Sequence, residues 1–195
     1  MSDPANIAAP IQIAVLGAGS ASRFGANKLT QACAGKPLGQ WALDAALGTG
    51  LPVLWIAGGA APGFVGVAEA VLNPRAVEGI GTSVALAAQI AADRGASALL
   101  VVLADMPLVT TALLDQLIAK RAPTACLHPD GRPGVPALLP ASTFGALMAL
   151  SGDQGAGRII AGMAGLALIE CDAAELFDVD TPQALAVAEI ALTHR

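Results

Sequence analysis

The run Ala98-Leu99-Leu100-Val101-Val102-Leu103 is apolar at every position and leads through Ala104 into Asp105-Met106-Pro107. A segment of strand length that is apolar on both faces must be covered on both, which predicts a central parallel strand. Upstream, Gln12-Ile13-Ala14-Val15-Leu16 reads as a second buried strand that runs straight into a glycine-rich loop over residues 17–28. Residues 41–47 read as a helix closed by Gly48 and Gly50, residues 51–57 as a strand, and residues 82–94 as a helix with Leu86 and Ile90 one turn apart. Downstream, Thr110 or Thr111 caps a helix whose Leu113, Leu114, Leu117 and Ile118 form one stripe. A strand is predicted near 124–127, a Gly/Pro loop over 128–136, helical segments near 142–150 and 154–163, and a strand at 166–169. Asp180-Thr181-Pro182 then opens the last helix, with Thr181 as N-cap and Pro182 in the first turn.

This alternation of strands and helices predicts an α/β domain with an open, mostly parallel sheet and helices on both faces. Ligands in such sheets sit beyond the carboxyl ends of the strands, so the 17–28 loop and Asp105 are expected at one edge. The chain has 195 residues, 55% of them apolar and 13% charged, which suits a single core and excludes intrinsic disorder. A tail over residues 1–11 and one domain over 12–195 are expected.

Ten Lys and Arg against fifteen Asp and Glu leave a net charge of -5, too acidic for a nucleic-acid polyanion. The chain has no Tyr, only four Phe and two Trp, and so few rings on which bases could stack. A single nucleotide needs only a local anion site and stays compatible. Cys33, Cys126 and Cys171 are widely spaced and read as reduced thiols. Residues 45–68 carry no charge, but Pro52, Pro62 and several glycines argue for a helix end, a strand and a loop over a membrane span. The N-terminus has no signal-peptide pattern, so no membrane partner and a cytoplasmic location are expected.

Three of the ten basic residues, Arg23, Lys28 and Lys36, lie in or just after the first glycine loop. Glycines let backbone N–H groups approach an anion closely, and Arg23 and Lys28 add a fork and a point charge for phosphate oxygens. The plain alternative is a set of turn glycines beside solvated bases. The P-loop spacing G-x-x-x-x-G-K-[ST] is absent, and Gly17-x-Gly19-x-x-Ser22 only half fits a dinucleotide-binding turn, because the second strand ends in Ala57-Gly58-Gly59 without a ribose-binding acid. An NAD(P)-dependent oxidoreductase is therefore the weaker enzyme reading. Asp105 is a hard oxygen ligand suited to Mg²⁺, or else an acid leading the helix capped at Thr110. Thr82 and Ser83, beside Gly79 and Gly81, either hydrogen-bond a base or cap a helix. Glu170, Asp172, Glu175, Asp178 and Asp180 crowd one stretch, most of it a solvated face. His128 and His194 read as bystanders, and Lys36 belongs to a turn.

The segment Leu16-Gly17-Ala18-Gly19-Ser20-Ala21-Ser22-Arg23-Phe24-Gly25-Ala26-Asn27-Lys28 resembles the L-A-A-G-x-S-x-R-x-G-x-x-K signature of sugar-nucleotide and molybdenum cofactor nucleotidyltransferases, with Gly17 in place of the usual Ala. The resemblance continues through Ala34-Gly35-Lys36-Pro37-Leu38, Asn73, Gly79-Ile80-Gly81-Thr82-Ser83, Ala104-Asp105-Met106-Pro107, Gly152-Asp153-Gln154-Gly155-Ala156 and Asp178-Val179-Asp180-Thr181-Pro182. Within that superfamily the chain is most similar to molybdenum cofactor cytidylyltransferase-like proteins. The resemblance implies a Rossmann-like three-layer αβα sandwich of the nucleotide-diphospho-sugar transferase type. It implies Mg²⁺, a nucleoside triphosphate, and a small phosphorylated acceptor such as molybdopterin, with a molybdoenzyme or cofactor chaperone as partner. Arg23, Lys28 and Asp105 would be catalytic. Leu16, Gly17, Ala18, Gly19, Ser20, Arg23, Lys28, Asn73, Gly81, Thr82 and Ser83 would bind nucleotide, and Asp105 and Asp180 the metal, with Asp178 as the alternative to Asp180. Ala18, where guanylyl-transferring relatives carry glycine, points to CTP. Two departures bear on the acceptor: Gly134-Val135-Pro136 stands where Gly-His-Pro is usual, and Gly157 displaces Arg158. A nucleotide-binding regulatory or chaperone module that has lost turnover is the reading from a different class.

Overall fold

A computed structural model of the chain describes residues 10–18, 28–121 and 123–194. Seven strands form the main sheet: β1 (Ile11–Gly17), β4 (Val53–Ala57), β5 (Glu69–Leu72), β6 (Ala98–Leu103), β7 (Thr124–Leu127), β8 (Pro133–Pro140) and β9 (Ala167–Glu170). Strands β2 (Ala32–Cys33) and β3 (Lys36–Pro37) make a separate small hairpin. The helices are α1 (Leu38–Gly48), α2 (Ile80–Asp93), α3 (Thr111–Ala119), α4 (Phe144–Met148), α5 (Gly157–Ala161) and α6 (Pro182–Thr193). The sheet order is β5-β4-β1-β6-β8-β7-β9, and of these strands β8 alone runs against its neighbours. None of the described helices is long and apolar enough to cross a membrane, and residues 45–68 resolve into the end of α1, β4 and a 3-10 turn.

Strand alternation sorts the core into two layers. Ile13, Val15, Trp55, Leu100 and Val102 face α1 and α3, where they meet Ala42, Leu43, Leu114 and Leu117. Ala14, Leu16, Leu54, Ile56, Leu99 and Val101 face the other way, against Val84, Ala87, Ala88 and Ala91 of α2 and against Leu147. The chain is thus a three-layer αβα sandwich, and the apolar run 98–103 is its central strand.

The loop expected over 128–136 is instead cut short by β8, which begins at Pro133. Two prolines disguise this strand. Pro133 is its first residue, and Val135-Pro136 falls at an irregularity where the pairing with β7 shifts, so neither proline interrupts a regular ladder. Strand β5 went unnoticed because it is a short, largely exposed edge. Helix α1 starts earlier than expected, directly after Pro37, and α5 is shorter than its predicted span.

One contact explains the departure at Gly17. A Cβ there would lie 2.2 Å from Cζ2 of Trp55, which is fully buried and meets Phe64 edge-on with ring centroids 5.4 Å apart. Glycine is needed because the indole fills the space a methyl would take. Gly17→Ala is expected to cost about 1–3 kcal/mol by overpacking. Denaturant unfolding of Gly17→Ala in wild-type and Trp55→Leu backgrounds checks this: the cost should shrink when the indole is gone, and an equal cost in both would contradict the pairing.

Candidate active site

Strand β1 lies between β4 and β6, so the chain leaves β1 toward one side of the sheet and later returns on the other. Such a switch point opens a crevice at the carboxyl ends of the two central strands. Lys28 enters it from a 3-10 turn (Lys28–Thr30) and is only 8% exposed. Its Nζ donates to Asp105 Oδ2 and to Asp180 Oδ1, each at 2.8 Å.

The backbone explains how acids so distant in sequence meet. Asp105 lies two residues beyond the end of β6, and its carbonyl accepts the Val179 N–H at 3.0 Å. The Val179 side chain is fully buried against Leu38, Leu108 and Leu192, which turns the acids on either side of it, Asp178 and Asp180, toward the sheet edge. Burial works against the Lys28 ammonium, but attraction and hydrogen bonds from Asp105 and Asp180 outweigh it and raise its proton affinity above the ordinary lysine value. Asp178 gains no such partner among the described residues. Desolvation of its carboxyl, then repulsion from Asp105 and Asp180, push it up to about 6, against a smaller opposing pull from His128 and Lys28.

Two carboxylates converging on one point are hard oxygen donors that fit a divalent cation, which commonly takes its other ligands from phosphate oxygens and water. The described residues contain no group of three or more His, Cys, Asp and Glu side chains able to hold a metal alone, so substrate oxygens would have to complete the shell. Lys28 supplies the positive charge at this position.

A second network lies on the α2 side of the crevice. Asn73 follows β5, is 3% exposed, and donates from Nδ2 to Thr82 Oγ1 at 2.9 Å and Ser83 Oγ at 3.0 Å. Its Oδ1 accepts the Arg75 N–H, and its own N–H donates to Ala57 O. Neither Thr82 nor Ser83 is the cap of α2. Gly79 is, and the Thr82 hydroxyl lies within hydrogen-bond distance of the Gly79 and Arg75 carbonyls. The three polar side chains are therefore held together, and Asn73 and Thr82 are further tied to the backbone at Arg75 and Gly79. Gly81 serves close packing: its N–H donates to Gly152 O at 2.9 Å, and a Cβ on it would lie 2.7 Å from Gln154 O. A Cβ on Gly79 would lie 2.3 Å from the Gly152 carbonyl, whereas Gly152 itself is called for by its left-handed φ of 56°.

Leu16, Ala18 and Ser83 line a cavity of about 220 Å³ with Ile80 and Asp153, and Gly17 and Ala18 line a second one beside Gly58 and Gly59. Gly19, Ser20 and Arg23 lie outside the described residues. Lys36 pairs with Asp44 and sits 3.8 Å over the Trp41 ring, away from Lys28's carboxylates. His128, read from sequence as a bystander, has its Nε2 2.8 Å from Val135 O. No sequence motif marked it, because its partner comes from across the β7–β8 turn.

Asn73→Ala should leave the buried Thr82 and Ser83 hydroxyls without their donor and cost about 2–3 kcal/mol. Urea unfolding measures it, and a change below the error of the midpoint would show that the network is dispensable.

The comparisons fit this geometry. A family model described as the MobA-like NTP transferase domain matches residues 13–169. No curated protein matches the chain significantly. Among solved structures, Rv0371c of Mycobacterium tuberculosis H37Rv is 26% identical with a TM-score of 0.76, covering 92% of this chain and 97% of that one. A manganese complex of Rv0371c aligns at 21% identity and TM-score 0.71, covering 93% and 98%. Molybdopterin-guanine dinucleotide biosynthesis protein A of Archaeoglobus fulgidus shares the fold at 18% identity and TM-score 0.68, covering 94% and 100%. So does 2-C-methyl-D-erythritol 4-phosphate cytidylyltransferase of Thermus thermophilus, at 19% and 0.66, covering 93% and 98%. With most of its length inside the family model and Lys28, Asp105 and Asp180 gathered at the sheet's switch point, the chain belongs to the MobA-like NTP transferase domain family and is a nucleotidyltransferase.

Proposed function

We propose that the protein transfers CMP from CTP to a small phosphorylated acceptor, with the molybdenum cofactor first among candidates, and uses Mg²⁺. The observation that carries this reading is the Lys28 ammonium, whose Nζ lies 2.8 Å from both Asp105 and Asp180 at the crevice of the sheet. An acceptor phosphate oxygen attacks the α-phosphorus, the bond from that phosphorus to the bridging oxygen breaks, and pyrophosphate leaves. No covalent enzyme intermediate is needed, so positioning and charge carry the catalysis.

In this reading Lys28 and Arg23 bind the triphosphate, and the 16–20 backbone lies along it. The Asn73, Thr82, Ser83 and Gly81 cluster forms one wall of the base site. Asp105 and Asp180 would hold the metal, which when bound spreads the negative charge of the phosphates; the manganese in the related Rv0371c complex is an ion of the same oxygen preference. Ala18, at the mouth of the cavity beside Ser83, supports a pyrimidine because its methyl narrows that space. The cytidylyltransferase and the molybdopterin-guanine dinucleotide protein among the structural relatives make CTP and a molybdopterin acceptor concrete candidates. A molybdoenzyme or a cofactor chaperone would receive the product.

Thermal shift with each of the four ribonucleoside triphosphates, with and without Mg²⁺, tests the nucleotide directly, because a ligand of the native state raises the melting temperature. CTP with Mg²⁺ should stabilise most, and larger stabilisation by GTP would overturn the cytidylyl assignment. Lys28→Ala should weaken nucleotide binding by about 1.5–3 kcal/mol, the worth of a charge-assisted bond. Unchanged affinity and turnover in that variant would remove Lys28 from the phosphates. Asp105→Asn and Asp180→Asn should stay folded and lose pyrophosphate release by about 100-fold or more, as expected when a metal carboxylate is removed.

A further inference from the structure

At the turn between β7 and β8, one side chain stands at the rim of a cavity that the nucleotide reading leaves unused. The cavity measures about 310 Å³ and is walled by Leu16, Ile80, Val84, Leu103 and Val135, and among the described residues its only polar side chains are those of His128, Asp130 and Arg132. Leu16 and Ile80 also line the cavity beside Ser83, so the two spaces adjoin.

The imidazole is held in a built position. A carbonyl oxygen only accepts hydrogen bonds, so the 2.8 Å contact with Val135 O requires Nε2 to carry the hydrogen. In the neutral ring Nδ1 is then left as an acceptor, and it has no hydrogen-bond partner among the described residues. Gly134 makes the arrangement possible, since a Cβ there would lie 2.7 Å from Nε2. The His128 N–H donates to Arg132 O and the Gly131 N–H to His128 O, both at 2.9 Å, which fixes the turn that presents the ring.

We propose that His128 is a specificity-determining contact for the acceptor, and that the acceptor is a phosphomonoester whose flat body lies against the aliphatic walls and turns an N–H or O–H edge to Nδ1. The inference rests on the nucleotidyl-transfer reading. A sugar phosphate fits less well, because apart from His128 and the largely exposed Asp130 and Arg132 the walls that its hydroxyls would face are aliphatic. An aryl body fills the same walls favourably and needs only the one polar edge.

Calorimetric titration of the full chain with 3-aminobenzyl phosphate, benzyl phosphate and glucose 1-phosphate tests this. Wild type should bind the amino compound about tenfold more tightly than benzyl phosphate, the worth of one good hydrogen bond, and bind glucose 1-phosphate most weakly. His128→Gln keeps an amide donor for Val135 O but removes the ring nitrogen. Gly134→Ala leaves His128 in place chemically but pushes its ring aside. Both should abolish the preference for the amino group while CTP still raises the melting temperature as in wild type. A preference for glucose 1-phosphate, or an amino preference that survives in both variants, overturns the proposal. Binding of CTP without binding of any of the three phosphates also overturns it and leaves nucleotidyl transfer standing, whereas failure of every nucleotide to stabilise wild type defeats the underlying reading itself.

Discussion

The two bonds from Lys28 Nζ to Asp105 and Asp180 set the terms for the rest of the molecule. A largely buried ammonium is costly without compensation, and these carboxylates compensate it only if three separate parts of the fold arrive together. Lys28 must enter from its 3-10 turn, β6 must lead through Ala104 into Asp105, and the segment before α6 must dock through Val179. The sheet achieves this because β1 and β6, which pair in parallel, end at one edge. In a chain of net charge -5, the arrangement also keeps a cation where an anionic substrate must come.

The glycines of this protein record close approaches more than loose turns. Gly17 yields to the Trp55 indole, Gly81 to the 151–154 backbone, and Gly134 to the His128 ring. In each case the contact joins two segments on the rim of the crevice, so the shape of the site is set by absent side chains as much as by present ones. The Asn73 network adds stiffness on the α2 side, where buried hydroxyls are matched to a single amide.

Much of this was readable from residues alone. The apolar run 98–103, the strand before the first glycine loop, the Thr110 and Thr181 caps and the acid after the central strand are local patterns, and local patterns survive folding. Strand β8 was not readable, because Pro133 and Pro136 carry the signature of a loop and only the pairing with β7 makes them harmless. The Lys28 link to both acids escaped a reading that assigned Lys28 to phosphate and the acids to metal, since nothing in linear spacing says that three charges share one point. The contact of His128 with Val135 was hidden in the same way: its partner is a backbone carbonyl, which no sequence motif displays.

Lys28 satisfies the two carboxylates in this structure; in the proposed reaction it would give them up to a divalent ion and turn to the phosphate oxygens. A crystal structure of the chain with CTP and Mn²⁺ measures this exchange most directly. The account predicts Lys28 Nζ hydrogen-bonded to phosphate oxygens, with Asp105 and Asp180 both facing the ion. Nucleotide bound in the crevice while Lys28 keeps both carboxylates, or an ion held away from them, would contradict it.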